Sequence, residues 1–372
     1  MARLTPRERW LLVAAAALYA AVIIPVGVRR GGDLVAHFPE ADDWLRGLPL
    51  YASAPRLGIW WPPFATLLVV PFAAVAHASA AVAKGAWAAA SVACIGWSVV
   101  AVPRERWRPV LLAVAAVAVP LNRNFEDLNL NAILLALVVA AAADLERGRE
   151  TRSGAWIGAA TALKVFPGLL LVYLAYRRRW RAAAAGAAVA AACTIGALLP
   201  YGVPGALHAV GRWLANSAPA GWTLPGSNQS LAALAPRLGL PPAAVPLLDL
   251  ACLALAVVAL RRPKVTDRAF EEVAVVMLAA VLLSPIAWVH YFLLALPAWV
   301  VALRLPHAVR PAPPWRAALV VSGIATSGVL TVWSLSFRRE LFELSIYTWG
   351  ALLLLVVLAF APRAPQPATA PS

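Results

Sequence analysis

The feature that most limits what this chain can become is the run from Trp10 to Val28, 19 consecutive residues without a charge. At about 1.5 Å of rise per residue, such a helix reaches across most of the roughly 30 Å hydrocarbon core of a bilayer. No small-residue cleavage site follows a short apolar core, so the run reads as a retained first membrane helix and not as a removed leader. Further apolar runs lie near 61–78, 84–102, 109–120, 130–143, 154–163, 166–176, 182–200, 243–260, 272–287, 291–304, 315–333 and 346–361. They predict an all-α polytopic membrane protein of roughly 11–13 helices, some too short to span alone. Composition agrees, with 62% hydrophobic and only 13% charged residues, against about a quarter charged in soluble domains.

The formal net charge of +15 raises nucleic acid as a partner, and the placement of the basic residues argues against it. They fall in short clusters between apolar runs: Arg3/Arg7/Arg9, Arg104/Arg106/Arg108, Arg177/Arg178/Arg179/Arg181 and Arg261/Arg262/Lys264. Cytoplasmic loops of membrane proteins carry this bias. The clusters place the N-terminus and the loops at 177–181, 261–268 and 304–316 in the cytoplasm, with 29–60, 201–242 and 284–291 facing outward. Two full crossings between 61 and 108 would strand Arg104–Arg108 outside, so a re-entrant segment or a single long helix is the alternative there. Cys94, Cys193 and Cys252 sit singly in apolar runs, a spacing that indicates neither a metal site nor a disulfide framework. Residues 1–361 read as one integral membrane domain, and 362–372, rich in Pro and Ala, as a disordered tail.

Four polar stations interrupt the apolar sequence on the predicted outer face. They are Asp33 in the first outer loop; the Asn122-Arg123-Asn124 and Asn129-Leu130-Asn131 segment; Lys164; and Ser284-Pro285-Ile286-Ala287-Trp288-Val289-His290-Tyr291. Ionisable groups at membrane depth are costly and mark function by default. Each has a plainer reading as well: Asp33 solvating a helix end, Lys164 snorkelling to the interface, His290 as an interfacial hydrogen-bonder. Glu40, Asp42 and Asp43 lie on an amphipathic run expected to rest on the membrane surface. In the 201–242 loop, Trp213, Asn216, Trp222, Asn228, Gln229 and Ser230 offer aromatic and amide groups suited to carbohydrate or lipid headgroups, although the tryptophans also fit an interfacial belt. Transfer of a sugar from a lipid phosphate needs a base for the acceptor hydroxyl and cations for the departing phosphate. Asp33 or His290 offers the base; Lys164 and Arg123 offer the cations.

These residues carry a resemblance. Asp33, the run ending Gly47-Leu48-Pro49-Leu50-Tyr51, Trp61-Pro62-Pro63, Asn131, Gly158 with Lys164-Val165-Phe166-Pro167, and Ser284-Pro285-Ile286 with His290-Tyr291 together resemble glycosyltransferase family 87. That family contains polyprenol-phosphate-mannose-dependent alpha-mannosyltransferases of glycolipid synthesis and related arabinofuranosyltransferases. The resemblance implies the architecture of the C-type membrane glycosyltransferases, with short amphipathic helices in an extracytoplasmic first loop. It implies a bacterial plasma-membrane enzyme that takes a sugar, mannose first, from a polyprenyl-phosphate donor to a glycolipid or polysaccharide acceptor, with inversion, on the outer face. Asp33 then takes the place of the essential first-loop carboxylate, His290 that of a histidine in the active-site cavity, and Lys164 that of a lysine near the lipid-phosphate donor. Tyr51, Trp61, Asn131, Asn228, Gln229, Trp288 and Tyr291 are the expected substrate contacts. The chain departs from the family where it has His37 and Trp61 for Tyr, and Asn129 for Gln.

No carboxylate cluster suggests a metal, and no cofactor is expected beyond the lipid-linked donor. Membrane lipids, donor and acceptor are the expected partners. A flippase of lipid-linked saccharides is the main rival and predicts matched broken helices in two pseudo-symmetric halves; a non-catalytic membrane subunit predicts that Asp33, Lys164 and His290 are dispensable.

Overall fold

The computed structural model describes residues 5–53, 61–103, 107–223, 226–262, 268–308, 313–333 and 337–362. Nineteen α-helices and no strand occur among the described residues. The chain divides into two compact units, Met1–Ala101 with Leu121–Asp144 and Gly148–Leu224, and Val102–Pro120 with Leu145–Arg147 and Pro225–Ser372. The protein is an all-α polytopic membrane protein. Four helical runs are long and apolar enough to cross a membrane: Pro6–Ala36, Pro63–Ala101, Trp180–Ser217 and Pro242–Arg261. Shorter apolar helices at Trp107–Ala116, Phe166–Tyr176, Val289–Arg304 and Ile346–Phe360 match four more of the runs read from the sequence. The tail at 363–372 and residues Arg104, Arg106 and Lys264 lie outside the described residues.

The first unit begins with α1 (Pro6–Arg30). Its start is fixed by a capping box, in which Thr5 Oγ1 accepts from the Glu8 amide at 3.2 Å and the Glu8 carboxylate accepts from the Thr5 amide at 2.8 Å. Its end is fixed by Gly31 at φ 71°, where a Cβ would also lie 2.5 Å from the Lys84 side chain. Two short helices follow, α2 (Gly32–Ala36) and α3 (Phe38–Leu45), which are the short helices expected in the first loop.

Next comes α4 (Pro63–Ala101), one helical run on paper that leaves helical geometry at Ser79, φ −157° and ψ 105°. Phe72 and Trp87 lie 15 positions apart, about 22 Å along a straight helix. Their rings meet edge-on with centroids 4.9 Å apart, so the run doubles back. The half before Ser79 stays with the first loop at both ends, Trp61 stacking on His37 and His77 bonding Asp42 at 2.9 Å. The half after Ser79 starts beside the end of α1, with Lys84 at Gly31 and Gly85 facing Val28.

The unit continues with α6 (Ala118–Asp127) and α7 (Asn131–Glu146), which straddle the unit boundaries, then α8 (Glu150–Leu163), α9 (Leu169–Tyr176), α10 (Trp180–Leu198) and α11 (Gly202–Thr223). Small residues let α8 lie flush on α10. A Cβ at Gly154 would stand 2.0 Å from the Ala182 carbonyl oxygen, and one at Gly158 would stand 2.2 Å from that of Gly186. The region expected as a second outer loop is largely helical: after Pro200 and a turn at Gly202 (φ 60°), α11 folds back onto the first loop. Leu50, Tyr51, Leu198 and Ala209 form a buried cluster there, with Trp44, Tyr201 and Trp213 packed against it. The Trp222 side chain lies outside the described residues.

The second unit holds α5 (Trp107–Ala116) and α12 (Leu231–Arg237), α13 (Val245–Arg261), α14 (Arg268–Leu283), α15 (Leu296–Ala308), α16 (Pro313–Ser327), α17 (Val329–Trp333), α18 (Arg338–Glu343) and α19 (Ile346–Phe360). Every residue of α14 from Ala269 to Leu282 is buried, so it is a central helix of the unit and not an amphipathic surface helix. Its N-terminus is satisfied by Glu146, whose carboxylate accepts the Phe270 amide at 2.9 Å.

Candidate active site

In the first unit, one chain of hydrogen bonds joins three of the residues singled out in the sequence through a fourth. Asn129 Nδ2 donates to Asp33 Oδ2 at 2.5 Å; Lys164 Nζ donates to Asn129 Oδ1 at 2.9 Å and to Asn131 Oδ1 at 3.1 Å. Asn129, Asn131 and Lys164 are buried. The geometry excludes a snorkelling lysine. Lys164 sits in the turn after α8, outside the candidate spans, where burial pushes its ammonium down to about 7 while the Asp33 carboxylate opposes the fall.

Local structure explains how each group arrives. Asp33 lies in the first turn of α2, whose helix starts at the Gly31 turn. At Gly32 a Cβ would stand 2.5 Å from the Asp127 Cα, so only glycine lets α2 pack on the end of α6. That helix ends in a turn in which the Leu128 and Asn129 amides bond the Phe125 and Asn124 carbonyls. Leu128 takes φ 49°, a left-handed conformation that costs a non-glycine residue about 1–2 kcal/mol. Its fully buried side chain packs against Gly27 and holds it there. The turn aims Asn129 at Asp33 and starts α7 at Asn131.

The rest of the first loop is internally braced. Glu40 is fully buried and pairs with His37, whose ring stacks on Trp61 with centroids 4.2 Å apart. Tyr51 Oη donates to the Trp61 carbonyl oxygen at 2.7 Å, and Asp43 accepts from the Ser53 amide at 2.7 Å and hydroxyl at 2.6 Å. The expectation that Glu40, Asp42 and Asp43 rest on the membrane surface therefore fails for Glu40 and Asp43, which are buried, while Asp42 stays at the surface. These carboxylates turn inward or pair with His77, because a loop this polar needs partners wherever it is covered.

In the second unit, residues 228–230 and 284–291 form a different kind of cluster. Asn228 Nδ2 and Ser230 Oγ both donate to the Pro285 carbonyl oxygen at 3.0 Å, and Asn228 Oδ1 accepts the Ala287 amide at 2.9 Å. The Gln229 amide donates to the Ala287 carbonyl oxygen at 2.7 Å, and Gln229 Nε2 reaches the Phe342 carbonyl oxygen at 2.9 Å. This brace ends at Trp288, which opens the 3₁₀ turn Val289–Ala295 that carries His290 and Tyr291, both buried.

Comparison with known proteins decides what this arrangement belongs to. The description of glycosyltransferase family 87 matches residues 60–285, more than half of the chain. The chain is also 30% identical over 367 residues, covering 85% of this chain and 80% of the relative, to the polyprenol-phosphate-mannose-dependent alpha-(1-2)-phosphatidylinositol mannoside mannosyltransferase of Mycolicibacterium smegmatis. The chain belongs to glycosyltransferase family 87. No solved structure matches it.

In this membrane glycosyltransferase, then, the structure brings Asp33, Asn131 and Lys164 into one network and seats Tyr51 and Trp61 together in the first loop. Arg123 instead pairs with Glu126, at 2.5 Å, which also takes Arg30 at 2.8 Å. Asn228 and Gln229 spend much of their hydrogen-bonding on backbone. Asn129, the bridge of the network, was visible in the sequence only as an amide two residues before Asn131 and as a departure from the family. Among the described residues no group of His, Cys, Asp and Glu is arranged to hold a metal.

Proposed function

We propose that this glycosyltransferase moves a mannosyl residue from polyprenyl phosphate mannose to a lipid-anchored acceptor, on the outer face of the plasma membrane and with inversion. The single observation that supports it best is the pairing, through one amide, of a carboxylate in the first loop with a buried lysine. Group transfer from a lipid phosphate needs these two charges near each other but separate. Asp33 accepts the proton of the acceptor hydroxyl as its oxygen attacks the anomeric carbon, and Lys164 stabilises the phosphate oxygen as the sugar–phosphate bond breaks. Asn131, bonded to the same ammonium, sets its direction. The relative of M. smegmatis, which by its name uses a polyprenol-phosphate-mannose donor, supports that donor class here. A lipid donor also suits an outer-face enzyme, because nucleotide sugars stay in the cytoplasm. His290, in the 3₁₀ turn that follows the 228–230 brace, is a separate candidate for a proton-accepting or acceptor-orienting role, and Tyr51 and Trp61 supply aromatic surface in the first loop.

The test is a transfer assay with purified protein, radiolabelled polyprenyl phosphate mannose and a membrane lipid extract. Label should enter a glycolipid, and Asp33→Asn and His290→Gln should each abolish most of it. Transfer only from polyprenyl phosphate arabinose would move the protein to the arabinofuranosyl branch of the family. Label that crosses the bilayer on an unchanged donor would make it a flippase.

A further inference from the structure

We propose that His37 is an acceptor-binding residue, whose Nε2 takes a hydrogen bond from an acceptor hydroxyl next to the one that Asp33 deprotonates, with Glu40 as the positioning residue behind it. The proposal rests on the role given above to Asp33. His37 closes α2 and opens α3, and its amide donates to the Asp33 carbonyl oxygen at 3.2 Å. The two residues are thus one helical turn apart, the spacing at which side chains are neighbours on a helix surface. A molecule that presents one hydroxyl to the Asp33 carboxylate therefore brings its adjoining groups to the His37 position.

The His37 ring is fixed in two ways. Nδ1 bonds the Glu40 carboxylate, and the ring stacks on Trp61 with centroids 4.2 Å and planes 30° apart. Trp61 is stacked in turn with the buried Trp87, at 6.3 Å and 25°. Nε2 of His37 bonds nothing among the described residues. Glu40 is fully buried, and its other oxygen, Oε1, has no partner among them either. Burying a carboxylate is costly, and among the described residues this one has a single polar contact, the His37 ring. A carboxylate only accepts, so it places the proton of the neutral ring on Nδ1 and leaves Nε2 as an acceptor. Carboxylates that orient a working imidazole in metal sites and catalytic triads act in the same way. A plain brace for Trp61 needs neither group, since an apolar ring would fill the same stack. What the pair adds is one nitrogen of set polarity in a set place. It suits a hydroxyl, which has a proton to give, and not a phosphate oxygen, which also accepts.

The experiment uses the purified full-length protein, radiolabelled polyprenyl phosphate mannose near saturation, and a membrane lipid extract titrated as acceptor. Removing one member of a buried pair leaves a bare charge, so the main variant replaces both, His37→Phe with Glu40→Leu. It keeps a ring on Trp61 and an apolar filling behind it. The apparent KM for the extract should rise about tenfold, with the donor KM within about twofold of wild type and the thermal midpoint in detergent little changed. Glu40→Gln, whose amide can also donate to the ring and so frees the tautomer, should raise the same acceptor KM about threefold. An acceptor titration of the double variant within about twofold of wild type overturns the proposal. So do donor and acceptor parameters that worsen together with a falling thermal midpoint, the result a plain brace predicts. Should the double variant not fold, Glu40→Gln carries the test alone, and a wild-type acceptor titration from it overturns the proposal. Near-wild-type transfer by Asp33→Asn would instead withdraw the role beneath it, an outcome read on a different variant.

Discussion

The two polar clusters of this protein use the same residue types in opposite ways. Around Asp33, asparagines bond to ionisable side chains: Asn129 to Asp33 and Lys164, Asn131 to Lys164. Around Asn228, the amides bond to backbone: the carbonyls of Pro285 and Phe342 and the amides of Ser230 and Ala287. A side chain that satisfies backbone replaces a missing ladder or helix bond and contributes to stability. One that bridges two charges orients them instead. The first cluster should therefore respond to substitution mainly in kinetics, and the second mainly in folding.

The sharpest way to break that contrast is at Asp33. Asp33→Asn should lose about a hundredfold or more in turnover with unchanged expression, since it keeps the shape and removes the proton acceptor; near-wild-type transfer would leave the first cluster without its central role. At Lys164 the expected effect is smaller and lies in donor use. Lys164→Ala should raise the donor KM by about tenfold, and Lys164→Arg by less, because a point charge counts more than shape in this contact; equal donor titrations for the two would remove the phosphate contact.

The same lysine gives the pH dependence its sign. Its ammonium is held down to about 7 by burial, so it is charged below that value and neutral above it. Donor kcat/KM should be level on the acid side of that limb and fall about tenfold per pH unit above it, with the limb absent in Lys164→Ala. The smallest kinetic effect belongs to the second cluster. Asn228→Ala leaves the Ser230 and Ala287 amides without their acceptor and should cost about 2 kcal/mol of stability. Thermal unfolding in detergent measures that loss, while the folded fraction should turn over within a few-fold of wild type; a large kcat loss at unchanged stability would erase the contrast. Chelator is expected to leave activity unchanged, and loss of activity on EDTA treatment, restored by a divalent cation, would contradict it.

What the chain decides by itself is the solvent it folds in and the kind of chemistry it carries. Uncharged runs such as Trp10–Val28, punctuated by arginine clusters, leave helices as the only economical way to satisfy backbone in a bilayer. Asp33, Lys164 and His290 within such sequence pointed to a functional site, because charges at such positions are too costly to keep without a use, while the expectation of family 87 came from the resemblance of the longer set of motifs between Asp33 and Tyr291. Tertiary structure decided the rest, where several conformations of one sequence were close in energy. A break near Ser79 was legible, since 61–78 and 84–102 read as separate apolar runs, but only packing against the first loop and the end of α1 decides that the second half doubles back on the first. The acidic run Glu40–Asp43 has the pattern of a surface helix, yet Glu40 and Asp43 are buried against His37 and Ser53, while Asp42 pairs with the exposed His77. Asn129 is the clearest case: nothing in its local sequence marks it as the group between Asp33 and Lys164. That role comes into being only when Gly32 lets α2 rest on the end of α6, Leu128 turns the chain, and the glycines of α8 bring Lys164 to the same point.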